Sequence, residues 1–310
     1  MQPLVSILMP TYNHEKYISQ AIESALSQKT QYDWELLIND DCSTDNTRKI
    51  AQEYAEKYPE KIKLIYPETN QGLMKSYKRL LEIAQGKYIA ILESDDIWIS
   101  EEKLEKQISF LEKNEEYGLC ATATNLIDSY DKILKKDNSN FDENLNGDWF
   151  NELLYANTLK AVSVVFKKSL FDIYCNIDEY IENKFTTLDY PVWLSISAHS
   201  KCKYIHEFLS SYRILGTSIS NSNNYKKKKI FEENVRQIQN YIIEKYPPKK
   251  FDYFRFEEIS VFRFVNLALK NKQFFDFIKY AKKLKSNDKK RKFMHNFPIL
   301  FYIQHRIRIH

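Results

Sequence analysis

The chain holds 310 residues with 46 Lys+Arg against 42 Asp+Glu, a formal charge of +4, and 43% of its residues are hydrophobic. That content supplies a sizeable core and excludes a disordered chain, and the length suits one large domain or a domain with an appendage. Only five glycines occur, at 72, 86, 118, 147 and 216; none builds a GxGxxG or a GxxxxGK[ST] pattern, which excludes a dinucleotide fingerprint and a P-loop.

The first 125 residues alternate two periodicities. Residues 4–9 are a short apolar run that reads as a first strand rather than a signal peptide. Ile18, Ala21, Ile22, Ala25 and Leu26 follow at helical spacing. Residues 34–38 predict a second strand, and Thr47, Ile50, Ala51, Tyr54, Ala55 and Tyr58 a second helix. A third strand over 62–66 leads into a helix marked by Leu73, Tyr77, Leu80, Leu81 and Ala84, closing at Gly86. Residues 88–92 predict a fourth strand, with Leu104, Ile108 and Leu111 marking a fourth helix ahead of an apolar run over 119–122. Strands alternating with helices of this length predict an α/β fold with a mostly parallel sheet covered on both faces. Residues 126–225 are less regular, with a polar loop over 137–146 and an apolar run over 161–166 that suits a further strand.

In such sheets ligands sit beyond the carboxyl ends of the strands. Strand one is followed by Pro10-Thr11-Tyr12-Asn13, strand two by Asn39-Asp40-Asp41-Cys42-Ser43-Thr44-Asp45, and strand four by Glu93-Ser94-Asp95-Asp96. An aromatic ring and two acidic clusters therefore meet at one sheet edge. Carboxylates there repel a bare diphosphate, so their presence makes sense with Mg²⁺ or Mn²⁺ between carboxylate and phosphate. Each piece also has a plainer reading: Ser43-Thr44-Asp45 suits a helix N-cap, Asp95-Asp96 a solvated turn, and Tyr12 packing.

VSILMPTYN, INDDCSTDNT, TNQG and AQGKYIAILESDD, in this order, resemble a family 2 glycosyltransferase of the GT-A fold, of the kind that builds bacterial surface polysaccharides such as capsule or O-antigen. The resemblance is close over residues 4–125 and looser through NTLKAVSVVFKKSLF, TLDYPVWLSI and SSYRILGTSIS, ending near 220. It implies a Rossmann-like GT-A domain over 1–225 and a metal-dependent, inverting transfer of a hexosyl or N-acetylhexosaminyl group from a nucleotide-sugar donor, with UDP as first choice. The acceptor would be a hydroxyl on a glycan or lipid-linked sugar. Residue by residue, the resemblance implies that Tyr12 packs on the nucleotide base beside Pro10, and that Asp41 accepts the base N–H. Glu93-Ser94-Asp95 stands for the family's DxD: Asp95 is the metal ligand, Glu93 leans toward ribose, and Asp96 faces donor or acceptor. Asp189 falls at the catalytic base, with Leu188 where the family usually has Glu; its plainer reading is an N-cap for 190–198. Tyr212-Arg213 matches the family's Tyr-Arg, placing Arg213 at the donor. Tyr77-Lys78 replaces the usual Arg-Asn, which brings Lys75, Lys78 or Arg79 toward the donor.

Charge divides the chain. Residues 226–310 hold 22 Lys+Arg and 8 Asp+Glu, against 24 and 34 in residues 1–225. The boundary falls at Lys226-Lys227-Lys228-Lys229. The tail has three readings: a helical subdomain with a solvated basic face, a peripheral anchor on an anionic membrane, and nucleic-acid binding. The third is disfavoured by the acidic body and by the lack of any nucleic-acid motif. For the anchor, Phe293, Phe297, Ile299, Leu300, Phe301, Tyr302 and Ile303 lie between the basic run 289–292 and Arg306 and Arg308. Cys42, Cys120, Cys175 and Cys202 form no CxxC pair, against a zinc site and a disulfide framework; with no apolar run of spanning length, a cytoplasmic protein is expected. Two rival functions are a non-catalytic nucleotide-sugar-binding relative and a metal-dependent nucleotidyl- or phosphotransferase. The latter lacks both a Gly-rich basic loop and a nucleophilic Asp after strand one.

Overall fold

The computed structural model describes residues 3–137, 147–216, 224–285, 288–299 and 301–302. Most of the polar loop over 137–146, the motif end at 217–220, and Leu300, Ile303, Arg306 and Arg308 lie outside them. The chain divides into two compact units, one of residues 1–153 and 157–214, the other of 154–156 and 215–310.

The first unit is a mixed α/β layer structure. Its strands are β1 (Val5–Thr11), β2 (Trp34–Asp40), β3 (Ile62–Ile65), β4 (Tyr88–Ile91), β5 (Ile97–Trp98), β6 (Tyr117–Ile127), β7 (Ile133–Asp137), β8 (Val165–Lys167) and β9 (Lys201–Arg213). They form one sheet of order β3-β2-β1-β4-β8-β6-β9-β5, with β7 on β6. β3, β2, β1 and β4 run parallel, as β6 and β9 do; β8, β5 and β7 enter antiparallel. Helices α1 (Ile18–Leu26), α2 (Thr47–Lys57), α3 (Leu73–Ile83) and α4 (Lys103–Lys113) fill the crossovers. They bury the stripes the spacing predicts, Ile18, Ala21, Ile22 and Ala25 on α1 and Tyr77, Leu80 and Leu81 on α3.

β1 and β2 are buried at every position, as strands covered on both faces must be. Two of the polar residues inside them satisfy one another: Ser6 donates to Glu35 at 2.7 Å, and Lys63 reaches the second Glu35 oxygen at 2.8 Å. Gly86 donates its N–H to Ser6 Oγ, and a Cβ at that position would lie 2.4 Å from the Ser6 nitrogen, so no larger residue fits where α3 feeds β4.

Three features depart from the periodicity. The strand expected over 119–122 runs from 117 to 127, because β9 pairs with it along its whole length. In the apolar run 161–166, residues Ala161–Ser163 form a 3-10 turn and only the end joins the sheet as β8. β5 and β9 carry no regular sequence signal, β9 because register shifts between Thr122 and Thr124 interrupt its pairing with β6.

After β7 come α5 (Phe150–Tyr155), α6 (Lys168–Tyr174), α7 (Ile177–Glu182) and α8 (Asp189–Ser197), the last buried at every position from Tyr190 to Ser197. The second unit is helical: α9 (Tyr225–Lys245), α10 (Tyr253–Lys270), α11 (Phe274–Ala281) and α12 (Lys289–Asn296). Val265, Ala268, Phe277, Tyr280, Leu284 and Met294 form much of its core. No helix among the described residues is long and apolar enough to cross a membrane.

Candidate active site

The loops after β1 and β2 are stitched together. Asn13 and Cys42 both take positive φ, 55° and 66°. The Asn13 N–H donates to Ser43 Oγ at 2.9 Å, and its side-chain oxygen accepts the Thr44 N–H at 2.8 Å. His14 N–H donates to Thr47 Oγ1, and Glu15 accepts the Asn46 N–H. Beside this seam Tyr12 is 44% exposed, its ring open to solvent at the end of β1.

Asp40 and Asp41 diverge. Asp40 is fully buried and takes Arg48 Nε at 2.7 Å. Asp41 accepts the backbone N–H groups of Gln71 and Gly72, the latter at 2.6 Å, while its carbonyl accepts Asn70 Nδ2. Its carboxylate thus shapes the 70–72 turn, where Gly72 takes φ 86° to open α3.

Beyond β4, Glu93, Asp95 and Asp96 each offer a carboxylate oxygen, all within 4.8 Å of one another. Burial pushes the Glu93 carboxyl up to about 7, the Asp95 charge adding to the rise and the Tyr77 hydroxyl opposing it. Asp96 is held well above the usual carboxylate range by burial and by the charges of Asp95 and Glu93. Burial also raises Asp95, against the pull of His14 and Arg213. Asp96 Oδ2 is buried without a hydrogen-bond partner. Three crowded hard-oxygen donors and an orphaned carboxylate oxygen fit a hard divalent cation.

Ser94 turns inward between strands. Its hydroxyl meets Thr11 Oγ1 and His14 Nδ1, both at 2.7 Å, and lies 3.4 Å from the Pro10 carbonyl. Ser94 therefore fixes the spacing of the β1 and β4 loops. His14 Nδ1 also lies 4.0 Å from Asp95 Oδ1.

Arg213, 1% exposed at the end of β9, holds the acidic turn from behind. Its backbone N–H donates to Asp96 Oδ1 at 2.8 Å and its Nε to the Asp95 carbonyl at 2.7 Å. Nη1 meets the Asp128 carbonyl and Asp131, Nη2 meets Gln20 Oε1, and the guanidinium lies 4.6 Å over the Tyr17 ring. All three guanidinium nitrogens donate to the protein itself.

Asp189 opens α8. One carboxylate oxygen accepts the Tyr190 N–H at 2.7 Å and the Thr187 hydroxyl, while the other accepts Asn157 Nδ2 at 3.3 Å. The N-cap of the plainer reading falls instead on Leu188, which makes no side-chain cap bond, and Asp189 is the first residue of the helix; its charge raises both Glu93 and Tyr77. Asn157 Oδ1 beside it is buried without a partner.

The two lysines differ in their surroundings. Lys78 is tied to Asp178 of α7 and lies 3.8 Å from Glu82, and Lys75 is exposed on the first turns of α3. Arg79 turns toward Asn39 Oδ1 and Gln71 Oε1. Sequence reasoning missed His14, the Tyr77 hydroxyl contact, and the Thr187 and Asn157 supports of Asp189. His14 alone had a signal, its place directly after the PTYN run.

Residues 6–166 match the profile described as Glycosyl transferase family 2. The chain is 35% identical over 229 residues to a putative teichuronic acid biosynthesis glycosyltransferase, TuaG, of Bacillus subtilis, covering 74% of this chain and 85% of that protein. It is 34% identical over 268 residues to WfgD of Escherichia coli, a UDP-Glc:alpha-D-GlcNAc-diphosphoundecaprenol beta-1,3-glucosyltransferase, covering 81% and 96%. Among solved structures it resembles S. aureus TarS 1-349 in complex with UDP-GlcNAc, with a TM-score of 0.63 at 16% identity over 97% of this chain and 89% of that one. At that identity the likeness speaks for the fold, a GT-A arrangement.

Proposed function

The chain belongs to glycosyl transferase family 2, and from that premise we propose that it transfers a sugar, with inversion, from a nucleoside diphosphate donor to an acceptor hydroxyl in assembly of a bacterial surface polysaccharide. The observation that carries this reading is the cluster of Glu93, Asp95 and Asp96 carboxylate oxygens within 4.8 Å of one another, with Asp189 near enough for its charge to raise Glu93. UDP is the favoured nucleotide, in keeping with the donor named for the E. coli relative. That relative's acceptor makes a sugar on a lipid diphosphate the acceptor class to test first.

In this reading Tyr12 packs on the base while Asp41 takes the base N–H and fixes the 70–72 turn. Asp95, with Asp96 and Glu93, would hold Mn²⁺ or Mg²⁺, which supplies Lewis-acid stabilisation of the leaving diphosphate. Asp189 takes the acceptor proton as the hydroxyl oxygen bonds to the anomeric carbon, and the bond to the diphosphate breaks on the opposite face. Thr187 and Asn157 orient that carboxylate, and Arg213 positions the acidic turn without reaching the donor. Ser94 ties the base-binding loop to the acidic loop. Lys78, held by Asp178, lines the donor side only by way of α3, which leaves Lys75 as the lysine free to meet phosphate.

The test is calorimetric binding of a panel of nucleotide sugars with and without Mn²⁺, followed by transfer to a diphosphate-linked N-acetylglucosamine carrying a short alkyl chain. Metal-dependent binding of a UDP-sugar is expected. Binding of none of the panel, or binding indifferent to metal and EDTA, refutes the donor site. Donor binding without turnover under any acceptor favours the non-catalytic relative.

A further inference from the structure

The transfer reaction leaves the basic tail unexplained. Two of the aromatics expected at its surface, Phe301 and Tyr302, pack against the helical core of the second unit. Phe275, at the start of α11, is instead 85% exposed, and Phe297 and Ile299 are 51% and 52% exposed. A continuous seam of rings links these exposed ends. Phe275 meets Phe274 at 5.5 Å, Phe274 meets Tyr302 at 5.1 Å, and Tyr302 meets Phe277 at 5.4 Å. Phe277 stacks on Phe301 at 6.1 Å, Phe301 meets Phe293 at 6.2 Å, and Phe293 lies 5.4 Å from Phe297. An apolar seam emerging at both ends stiffly presents Phe275 and Phe297 to solvent.

Charge accompanies it. Residues 274–299 carry eight Lys+Arg and two Asp+Glu. Both acids are engaged within the unit: Asp276 accepts from Tyr225 and Lys229, and Asp288 caps α12 through the Arg291 N–H. Arg291 is held by Glu258 and lies over Phe262. The lysines at 279, 282, 283, 289, 290 and 292 are exposed.

We propose that this α11–α12 face docks on an anionic lipid surface. Phe275, Phe297 and Ile299 enter the headgroup boundary, and the lysines meet the negative headgroups, each strengthening attachment roughly fivefold near the surface. No described helix is long and apolar enough to span, so the association is peripheral and weakens with salt. A nucleic acid would use the lysines and could stack a base on Phe275, but it would have no use for Ile299. The inference stands apart from the transfer reaction.

The test is sedimentation of the full chain with phosphatidylglycerol vesicles and with phosphatidylcholine vesicles, at low salt and at about 0.5 M salt. Expected is binding to the former alone, lost at high salt. Phe275→Ser/Phe297→Ser and Lys289→Glu/Lys290→Glu/Lys292→Glu should each bind at least about tenfold more weakly, with unchanged circular dichroism and unchanged UDP binding. Any one of three results overturns the proposal: no sedimentation with phosphatidylglycerol at low salt, equal binding to both lipids, or a Phe275→Ser/Phe297→Ser variant that binds as the parent does. Competition by single-stranded RNA, combined with indifference to the two phenylalanines, assigns the face to nucleic acid.

Discussion

The Tyr77 hydroxyl donates to Glu93 Oε1 across 2.7 Å, with Tyr77 only 2% exposed. It anchors one end of the acidic cluster to α3, as Arg213 anchors the other to β9. Glu93 is one methylene longer than the aspartate of a DxD, and the tyrosine hydroxyl holds its Oε1. Tyr77→Phe removes that bond and keeps the packing. Since hydrogen bonds to charged groups contribute about 1.5–3 kcal/mol, UDP binding with Mn²⁺ should weaken by roughly 10- to 100-fold. Calorimetry giving parental affinity would leave Tyr77 a packing residue alone.

Asp95→Ala should abolish the difference between UDP affinities measured with and without Mn²⁺, because the cluster loses the carboxylate proposed as the principal metal ligand. Asp41→Ala should weaken UDP in both conditions. Asp41 also holds the Gln71 and Gly72 N–H groups, so Asp41→Asn, which keeps one acceptor oxygen, separates the base contact from the loop contact. A metal response that survives in Asp95→Ala moves the ligand role to Asp96.

Asp189→Asn conserves shape and removes the proton acceptor. Turnover should fall by about 10²–10⁴-fold with donor affinity unchanged. Turnover within a factor of a few of the parent would transfer the role to Asp96.

Lys103 is a buried cation away from the cleft. Its ammonium donates to Gln107 Oε1 at 2.7 Å and lies 4.4 Å over the Trp98 ring. Burial pulls it down from 10.5 to about 7. Between pH 7 and 10.5 the unfolded chain therefore binds the extra proton and the native state does not, so this group makes stability rise with pH across that window, at up to about 1.4 kcal/mol per pH unit. Cys120, raised from 9.0 to about 12 by burial, keeps its proton in the native state and opposes the rise above pH 9. The parent-minus-variant difference for Lys103→Met isolates the lysine. Urea unfolding at pH 7, 8 and 9 should show a rising stability that the variant lacks, and identical slopes would mean that Lys103 keeps its proton in the native state across this range.

Strands β1 to β4 and helices α1 to α4 were legible because covered parallel strands and amphipathic helices leave separate marks. The residues converging at the strand ends were legible for the same reason, since a known topology fixes which loops meet. β9 escaped because its register shifts break any period, and β5 because two residues carry none. The surroundings of Asp189 are assembled from Asn157 and Thr187, and those of Arg213 from Gln20, Asp128 and Asp131. Such partners lie up to 193 positions apart, a separation no local pattern encodes. Phe275 and Phe301 look alike in sequence, and only tertiary packing leaves one exposed and sets the other against the core.

The seam joining Asn13 to Ser43 and Thr44 has a bearing on how this protein can change. Two loops already fastened to each other need little further ordering when a nucleotide arrives, so binding at this end costs little chain entropy. Backbone and contact surface are thereby decoupled. Tyr12, and Tyr66 with Arg48 4.5 Å over its ring, are exposed at 44% and 58% and take no part in the fastening. If Tyr12 packs on the base as proposed, exchanging it offers a route to a different nucleotide preference with the scaffold left untouched, whereas any replacement of Asn13 would have to rebuild the floor before it could alter the furniture.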